Sequence, residues 1–373
     1  MSAEAGAPEA IEIELPEGWA DDLGARVERT RWPSQPSGGW ELGVDIDYLR
    51  ELCSYWASDY DPERLPRRLN ELPNFRWRGL HFIHQRSDGD GLPILLAHGW
   101  PGGPIEFLEL IPRLVEAGHD VVVPSLPGYA FSEIPDEVLN IAAVAEPLRA
   151  LMEEGLGYER YAVQGGDWGA PITARIAYTS PARVAALHVN AVSVLPLPPN
   201  LGEPPLSEAE QAYLEEAQRW RLRRGYHLLL HSAAPDAVSP AFTDSPAGLA
   251  GWLVEKYRLW SDCEGDVERR FSKDELCDFL TMYWATGTIA SSMRLYLGER
   301  RDRWRLAPDE RIETPAAVAD FPKEIIRPPR DWAERILGDL RRWSEMPRGG
   351  HFAAFEEPDL LATDVTEFLA GVD

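Results

Sequence analysis

The sequence predicts an α/β fold: a mostly parallel sheet with helices on both faces, a helical lid insertion and an N-terminal extension. Three observations predict it. From about residue 91, short apolar runs alternate with helically spaced segments. That alternation gives way to about a hundred mostly helical residues, and it resumes near the C-terminus.

Residues 1–90 do not read as the core of such a sheet and are expected to pack along it as a belt. Asp45 is placed to cap a helix reaching Trp56, with Ile46, Leu49, Leu52 and Trp56 near helical spacing. Leu80-His81-Phe82-Ile83-His84 alternates loosely and predicts a strand entering the main sheet. The first part of the core spans 91–195. Pro93-Ile94-Leu95-Leu96-Ala97 is the short apolar run that a buried parallel strand needs. Gly103 to Glu116 then has helical spacing through Ile105, Leu108, Ile111 and Leu114. Val121-Val122-Val123 is the next strand, ended by the turn Pro124-Ser125-Leu126-Pro127-Gly128. Ile141 to Glu154 is helical, Tyr161-Ala162-Val163 a strand, and Ala185 to Val192 a further apolar run. Leu195-Pro196-Leu197-Pro198-Pro199 breaks the pattern. Helical segments Glu208–Arg224, Gly248–Trp260, Lys273–Gly287 and Thr288–Tyr296 make 196–300 a lid over the site. The second part of the core, 301–373, contains the run Pro315-Ala316-Ala317-Val318-Ala319 and a closing helix from Asp359 to Leu369.

Composition narrows the partners. Of the residues, 44% are hydrophobic, ample for a large core, while 62 acidic against 37 basic side chains give a net charge of −25. That balance argues against nucleic acid or an anionic membrane as partner. Cys53, Cys263 and Cys277 are odd in number and widely spaced, which suits neither a disulfide framework nor a metal cluster. The acidic, polar start carries no signal-peptide pattern, and no run approaches the roughly 20 apolar residues of a membrane span. The expectation is a soluble cytoplasmic protein acting on a small molecule, with no metal or organic cofactor. A homodimer is one arrangement the sequence permits without requiring.

The chemistry centres on Gly165-Gly166-Asp167-Trp168-Gly169, which follows an apolar strand and opens a helix. It matches the G-x-S-x-G elbow of α/β-hydrolases, with Asp167 in the serine slot. Glycines are needed because a strained strand-to-helix turn must lift one side chain clear of the backbone. A carboxylate so presented attacks an sp³ carbon and forms an alkyl ester that water must cleave, which points to epoxides or alkyl halides. An aspartate that merely caps the helix is the competing reading. The chain order nucleophile, acid, His leaves His351, delivered by Gly349-Gly350, as the base. Glu324 is the favoured acid and Asp320 the alternative, both following the penultimate strand. In His98-Gly99-Trp100-Pro101-Gly102-Gly103 the glycines let the backbone turn beneath the nucleophile, so the N–H groups of Trp100 and Trp168 are the expected oxyanion donors. His98 is expected to fix this loop together with Gly99 and Pro101.

With these motifs the sequence resembles the microsomal-type epoxide hydrolases, which include juvenile hormone epoxide hydrolases and soluble microbial relatives. The resemblance runs over nearly the whole chain. It takes in Arg31-Trp32-Pro33, His98-Gly99-Trp100-Pro101-Gly102, Gln164-Gly165-Gly166-Asp167-Trp168-Gly169, Asp244-Ser245-Pro246-Ala247-Gly248 and Arg348-Gly349-Gly350-His351-Phe352. It implies two lid tyrosines that bind the epoxide oxygen, matching Tyr226 in Gly225-Tyr226-His227 and Tyr296 in Ser291-Ser292-Met293-Arg294-Leu295-Tyr296. Ring opening generates an alkoxide, and two phenols can stabilise it and supply a proton. The chain departs from the family in having Ala233-Ala234-Pro235 where Thr-Lys-Pro is usual, and Ala130 where glycine is usual. The activity implied is conversion of an epoxide to a vicinal diol. The rivals are a haloalkane or haloacid dehalogenase, which shares the Asp elbow, and a non-catalytic binding protein of the same fold. An esterase lacks its serine here.

Overall fold

The computed structural model describes residues 6–37, 39–199 and 201–372. Nine strands build one sheet: β1 (Glu9–Ile11), β2 (Asn74–Trp77), β3 (Leu80–Gln85), β4 (Gly91–Ala97), β5 (His119–Pro124), β6 (Tyr161–Gly165), β7 (Val184–Val189), β8 (Ala316–Asp320) and β9 (Leu340–Glu345). Their order is β1-β2-β3-β5-β4-β6-β7-β8-β9. The first three run antiparallel and come from the N-terminal region, which therefore extends the sheet as well as girdling it. The other pairings are parallel, with Ile94 facing Val121 on one side and Ala162 on the other. Leu95, Leu96, Val122 and Leu187 are all fully buried, the mark of strands covered on both faces. Helix Leu110–Glu116 packs with the C-terminal helix Pro358–Leu369, and Ile141–Ala150 packs with Gly169–Thr179.

Two elements differ from expectation. The helix expected over 103–116 is a short 3-10 turn, Pro104–Phe107, and a separate helix, Leu110–Glu116. Pro112 explains the restart. Inside a continuous helix it would remove a hydrogen bond and clash with the preceding turn, whereas near the start of Leu110–Glu116 it needs no partner. Strand β9 was not anticipated, because Arg341, Arg342 and Glu345 hide its pattern. Charged side chains are what an edge strand carries to discourage pairing with another chain.

The helices Glu208–Arg224, Tyr226–Ala233, Ser239–Asp244, Pro246–Trp260, Lys273–Thr286 and Ile289–Arg301 fall between β7 and β8 in the chain, and four of them line a cavity shared with Asp167. The N-terminal region clamps them. Trp56 Nε1 donates to Thr281 at 2.8 Å, and buried Asp278 accepts from Tyr60 at 2.8 Å and Arg68 at 2.7 Å. The helix carrying Trp56, Ile46–Ser58, is capped by Asp45, whose carboxylate accepts from the N–H groups of Asp47 and Tyr48 at 3.0 Å each. Among the described residues no helix is long and apolar enough to cross a membrane.

Candidate active site

Strand β6 ends at Gly165 and the next helix begins at Gly169, leaving Asp167 at the tip of the turn with φ 45°. That left-handed conformation is uncommon for a side chain other than glycine and marks a held, strained turn. Close packing keeps it so: a Cβ on Gly169 would lie 1.8 Å from the Ala97 carbonyl oxygen. The elbow is thereby pressed onto the end of β4.

The groups expected around Asp167 converge from separate loops. Its Oδ1 accepts the Trp100 N–H at 2.7 Å, and its Oδ2 lies 3.4 Å from His351 Nε2. His351 Nδ1 stands 2.7 Å from Glu324 Oε1, which also accepts the Ile325 N–H at 2.6 Å. Of the two candidate acids, the structure brings Glu324 to the histidine. Asp320 instead forms an ion pair with Arg327. Trp168 follows Asp167 and starts the helix Gly169–Thr179, so its N–H belongs to the helix's free donors. His98 is buried, and its Nε2 accepts the Leu126 N–H at 3.1 Å, tying the Trp100 loop to the neighbouring turn. Burial pushes the His98 imidazole down to about 4, so it stays neutral. Gly99 lies against the nucleophile, and the Trp100–Pro101 peptide is cis.

His351 is held well above its ordinary value. Burial opposes its charge, but the Glu324 carboxylate and then Asp167 outweigh that. Both neighbours thus favour the charged form of His351.

The lid tyrosines part company. Tyr296 is buried and lines a cavity of about 170 Å³ together with Asp167, Trp168, His227, Trp260 and His351. Burial and the Asp167 charge hold its phenol well above 10. Tyr226 is not there. It is 38% exposed, its hydroxyl donates to Glu255 and accepts from Lys256 Nζ at 3.2 Å, and it borders a different hollow. The structure does not bring Tyr226 together with Asp167 and Tyr296; His227, the next residue on its helix, lines the cavity. A second group that sequence reasoning missed is Glu106, which with His98, Asp167 and His351 lines a space of about 20 Å³ beneath the nucleophile, roomy enough for about one water. Among the described residues no group of three or more His, Cys, Asp or Glu is arranged to hold a metal ion.

Comparison with known proteins gives the family and the fold. Residues 8–107 match the family model described as epoxide hydrolase N terminus, and residues 93–233 match that of the alpha/beta hydrolase fold. A Stigmatella aurantiaca protein provisionally named epoxide hydrolase is 40% identical over 377 residues, 96% of this chain and 83% of its own length. Epoxide hydrolase 1 of Sus scrofa is 33% identical, covering 96% of this chain and 88% of its own length. The chain belongs to the epoxide hydrolase family. The fold agrees: the crystal structure of juvenile hormone epoxide hydrolase from the silkworm Bombyx mori superposes with a TM-score of 0.89 at 29% identity. It covers 98% of this chain and 95% of its own. Ala130, where the family usually has glycine, adopts φ 45°, the left-handed conformation that glycine takes without strain.

Proposed function

We propose that this epoxide hydrolase works through a covalent ester on Asp167. Asp167 attacks one ring carbon from the side opposite the oxygen, giving a hydroxyalkyl ester. His351, oriented by Glu324, then takes a proton from water, and the hydroxide attacks the ester carbonyl. The N–H groups of Trp100 and Trp168 stabilise the oxyanion, and collapse releases a vicinal diol. The observation that carries the reading is the contact set of one carboxylate: Asp167 meets the Trp100 N–H at 2.7 Å and His351 at 3.4 Å, under the phenol of Tyr296. A reducing cytoplasmic setting is supported by Cys53, Cys263 and Cys277, all free and buried.

The test is diol formation from styrene oxide, beside an Asp167→Asn control. Diol from the wild type and none from the fresh variant is the expected result. In a single turnover in ¹⁸O water, the new diol oxygen is expected to come from Asp167; solvent label there at once would exclude the ester. Halide release from a bromoalkane with no diol from any epoxide would favour the dehalogenase.

A further inference from the structure

Two separate spaces meet at the nucleophile, and Asp167 and His351 border both. Tyr296 borders only the larger, of about 170 Å³, and Glu106 only the smaller, of about 20 Å³. Hydrolysis brings two reagents to Asp167, a carbon skeleton and a water. An ester on Asp167 fills the larger cavity and shields its own carbonyl from that side. The smaller space reaches the same carboxyl group from beneath, and its volume suits about one water.

Glu106 sits in the turn Pro104–Phe107 and is only 9% exposed, a costly place for a carboxyl group without partners. Its Oε1 accepts the Gly103 N–H at 3.1 Å, which leaves Oε2 for a ligand. The group is folded tightly under the loop: a Cβ on Gly102 would lie 1.5 Å from Oε1, so glycine alone fits there. Burial pushes the carboxyl up to about 8, while the His351 charge and the Gly103 N–H pull the other way. Neutral or ionised, it keeps an oxygen that accepts a hydrogen bond. Asn190 lines the same space; its amide oxygen accepts from Gln164 at 2.8 Å, which leaves its NH₂ to donate. A held water needs about two to four polar partners, and Glu106, His351 and Asn190 provide them.

From this arrangement we infer that Glu106 holds the hydrolytic water, in a space separate from the one that takes the substrate. The inference rests on the ester reading above. The water directs one hydrogen to His351 and the other to Glu106, so its free lone pair faces the ester carbonyl. Its oxygen bonds to the carbonyl carbon of Asp167, His351 takes the first proton, and the carbonyl electron pair moves onto oxygen. Collapse breaks the bond to the diol oxygen, which takes that proton back from His351. The second hydrogen remains on the Asp167 acid, and its release replaces the proton that the alkoxide gained on ring opening. One epoxide and one water give one diol.

The experiment is an acid-quenched single-turnover reaction with styrene oxide, following ester formation and ester hydrolysis separately in the wild type and in Glu106→Gln. An amide oxygen still accepts the Gly103 N–H, so the glutamine keeps the turn but presents an NH₂ donor where the water needs an acceptor. Hydrolysis is expected to slow roughly 10- to 10²-fold, as for a reactant misplaced by about 1 Å. Ester formation, which uses no water, should stay within about threefold, and ester should accumulate. A role confined to holding the turn predicts both steps unchanged, since the variant keeps that bond. A crystal structure of the wild type is the second measurement and does not depend on the variant folding. It should show a water within about 3.2 Å of both Glu106 and His351 Nε2. Hydrolysis within about threefold of wild type, an equal loss in both steps, or no water between those groups overturns the assignment of Glu106 alone. Solvent ¹⁸O in the diol at the first turnover overturns the ester reading and this inference with it.

Discussion

Replacing Glu324 with Gln keeps the shape of the group beside His351 and removes its charge. The two side chains are 4% and 5% exposed and 2.7 Å apart, so the imidazolium formed during ester hydrolysis depends on this one carboxylate. A charge-assisted hydrogen bond contributes about 1.5–3 kcal/mol and a neutral one about 0.5–1.5 kcal/mol, a difference of about 1–2 kcal/mol. The glutamine could instead turn its NH₂ towards His351 and impose the wrong tautomer, which would cost far more. The Ile325 N–H prevents this, because it donates to the same Glu324 oxygen at 2.6 Å and would keep an amide oxygen in place. Ester hydrolysis should therefore slow roughly 5- to 30-fold at about 1.36 kcal/mol per decade. Ester formation, which uses Asp167, should change little. Rapid-mixing fluorescence with acid-quenched ester would separate the two steps, and the wild-type rates set the scale. Hydrolysis within twofold of wild type, or a loss confined to ester formation, would refute the reasoning. Asp320→Asn is the companion control and should leave both steps unchanged, since Asp320 serves Arg327.

Three further outcomes are expected. Gly99→Ala would put a methyl 2.1 Å from Asp167 Oδ1, so ester formation should fall by about 10²-fold while the thermal melt stays cooperative; an unimpaired rate would contradict the packing. Leu95→Ala, at the fully buried centre of β4, should lower stability by about 2–5 kcal/mol in a denaturant titration, and a cost below about 1 kcal/mol would show the site collapsing freely. Burial pushes the Glu106 carboxyl from 4.5 up to about 8. Because its folded pKa is the higher, the stability it brings is full below about 4.5 and is lost as pH rises through about 8. Glu106→Gln should consequently flatten the fall in Tm across that window, whereas parallel Tm curves for variant and wild type would count against it.

The parallel core was legible because its strands are apolar on both faces, as at Ile94 to Ala97 and Val121 to Val123. The elbow was legible because only glycines at positions 165 and 169 let that turn close on β4. What escaped had a local pattern pointing elsewhere. Strand β9 is an edge strand whose charges mask its alternation. Glu106 resembles any polar residue of a turn until its carboxylate folds back to accept the Gly103 N–H at 3.1 Å. Tyr226 drew attention through its hydroxyl, yet the direction of its helix is set by neighbours on Trp100 and Trp260 far away in sequence. The spacing of His227 and His231, four apart in an otherwise apolar run, was the local signal for the inward face.

Two helices of the lid, Pro246–Trp260 and Lys273–Thr286, are fastened to the very backbone that presents the Trp100 N–H: Tyr257 donates to the Pro101 carbonyl at 2.6 Å and Tyr283 to that of Gly102 at 2.8 Å. A roof that swung aside to admit a guest would drag this peptide segment out of alignment at each cycle. The part of the roof that these two helices form is thereby held in step with the donor. Widening the repertoire is then a matter of trimming the throat at residues such as Leu197, Trp220 and Leu228, leaving the anchoring phenols untouched.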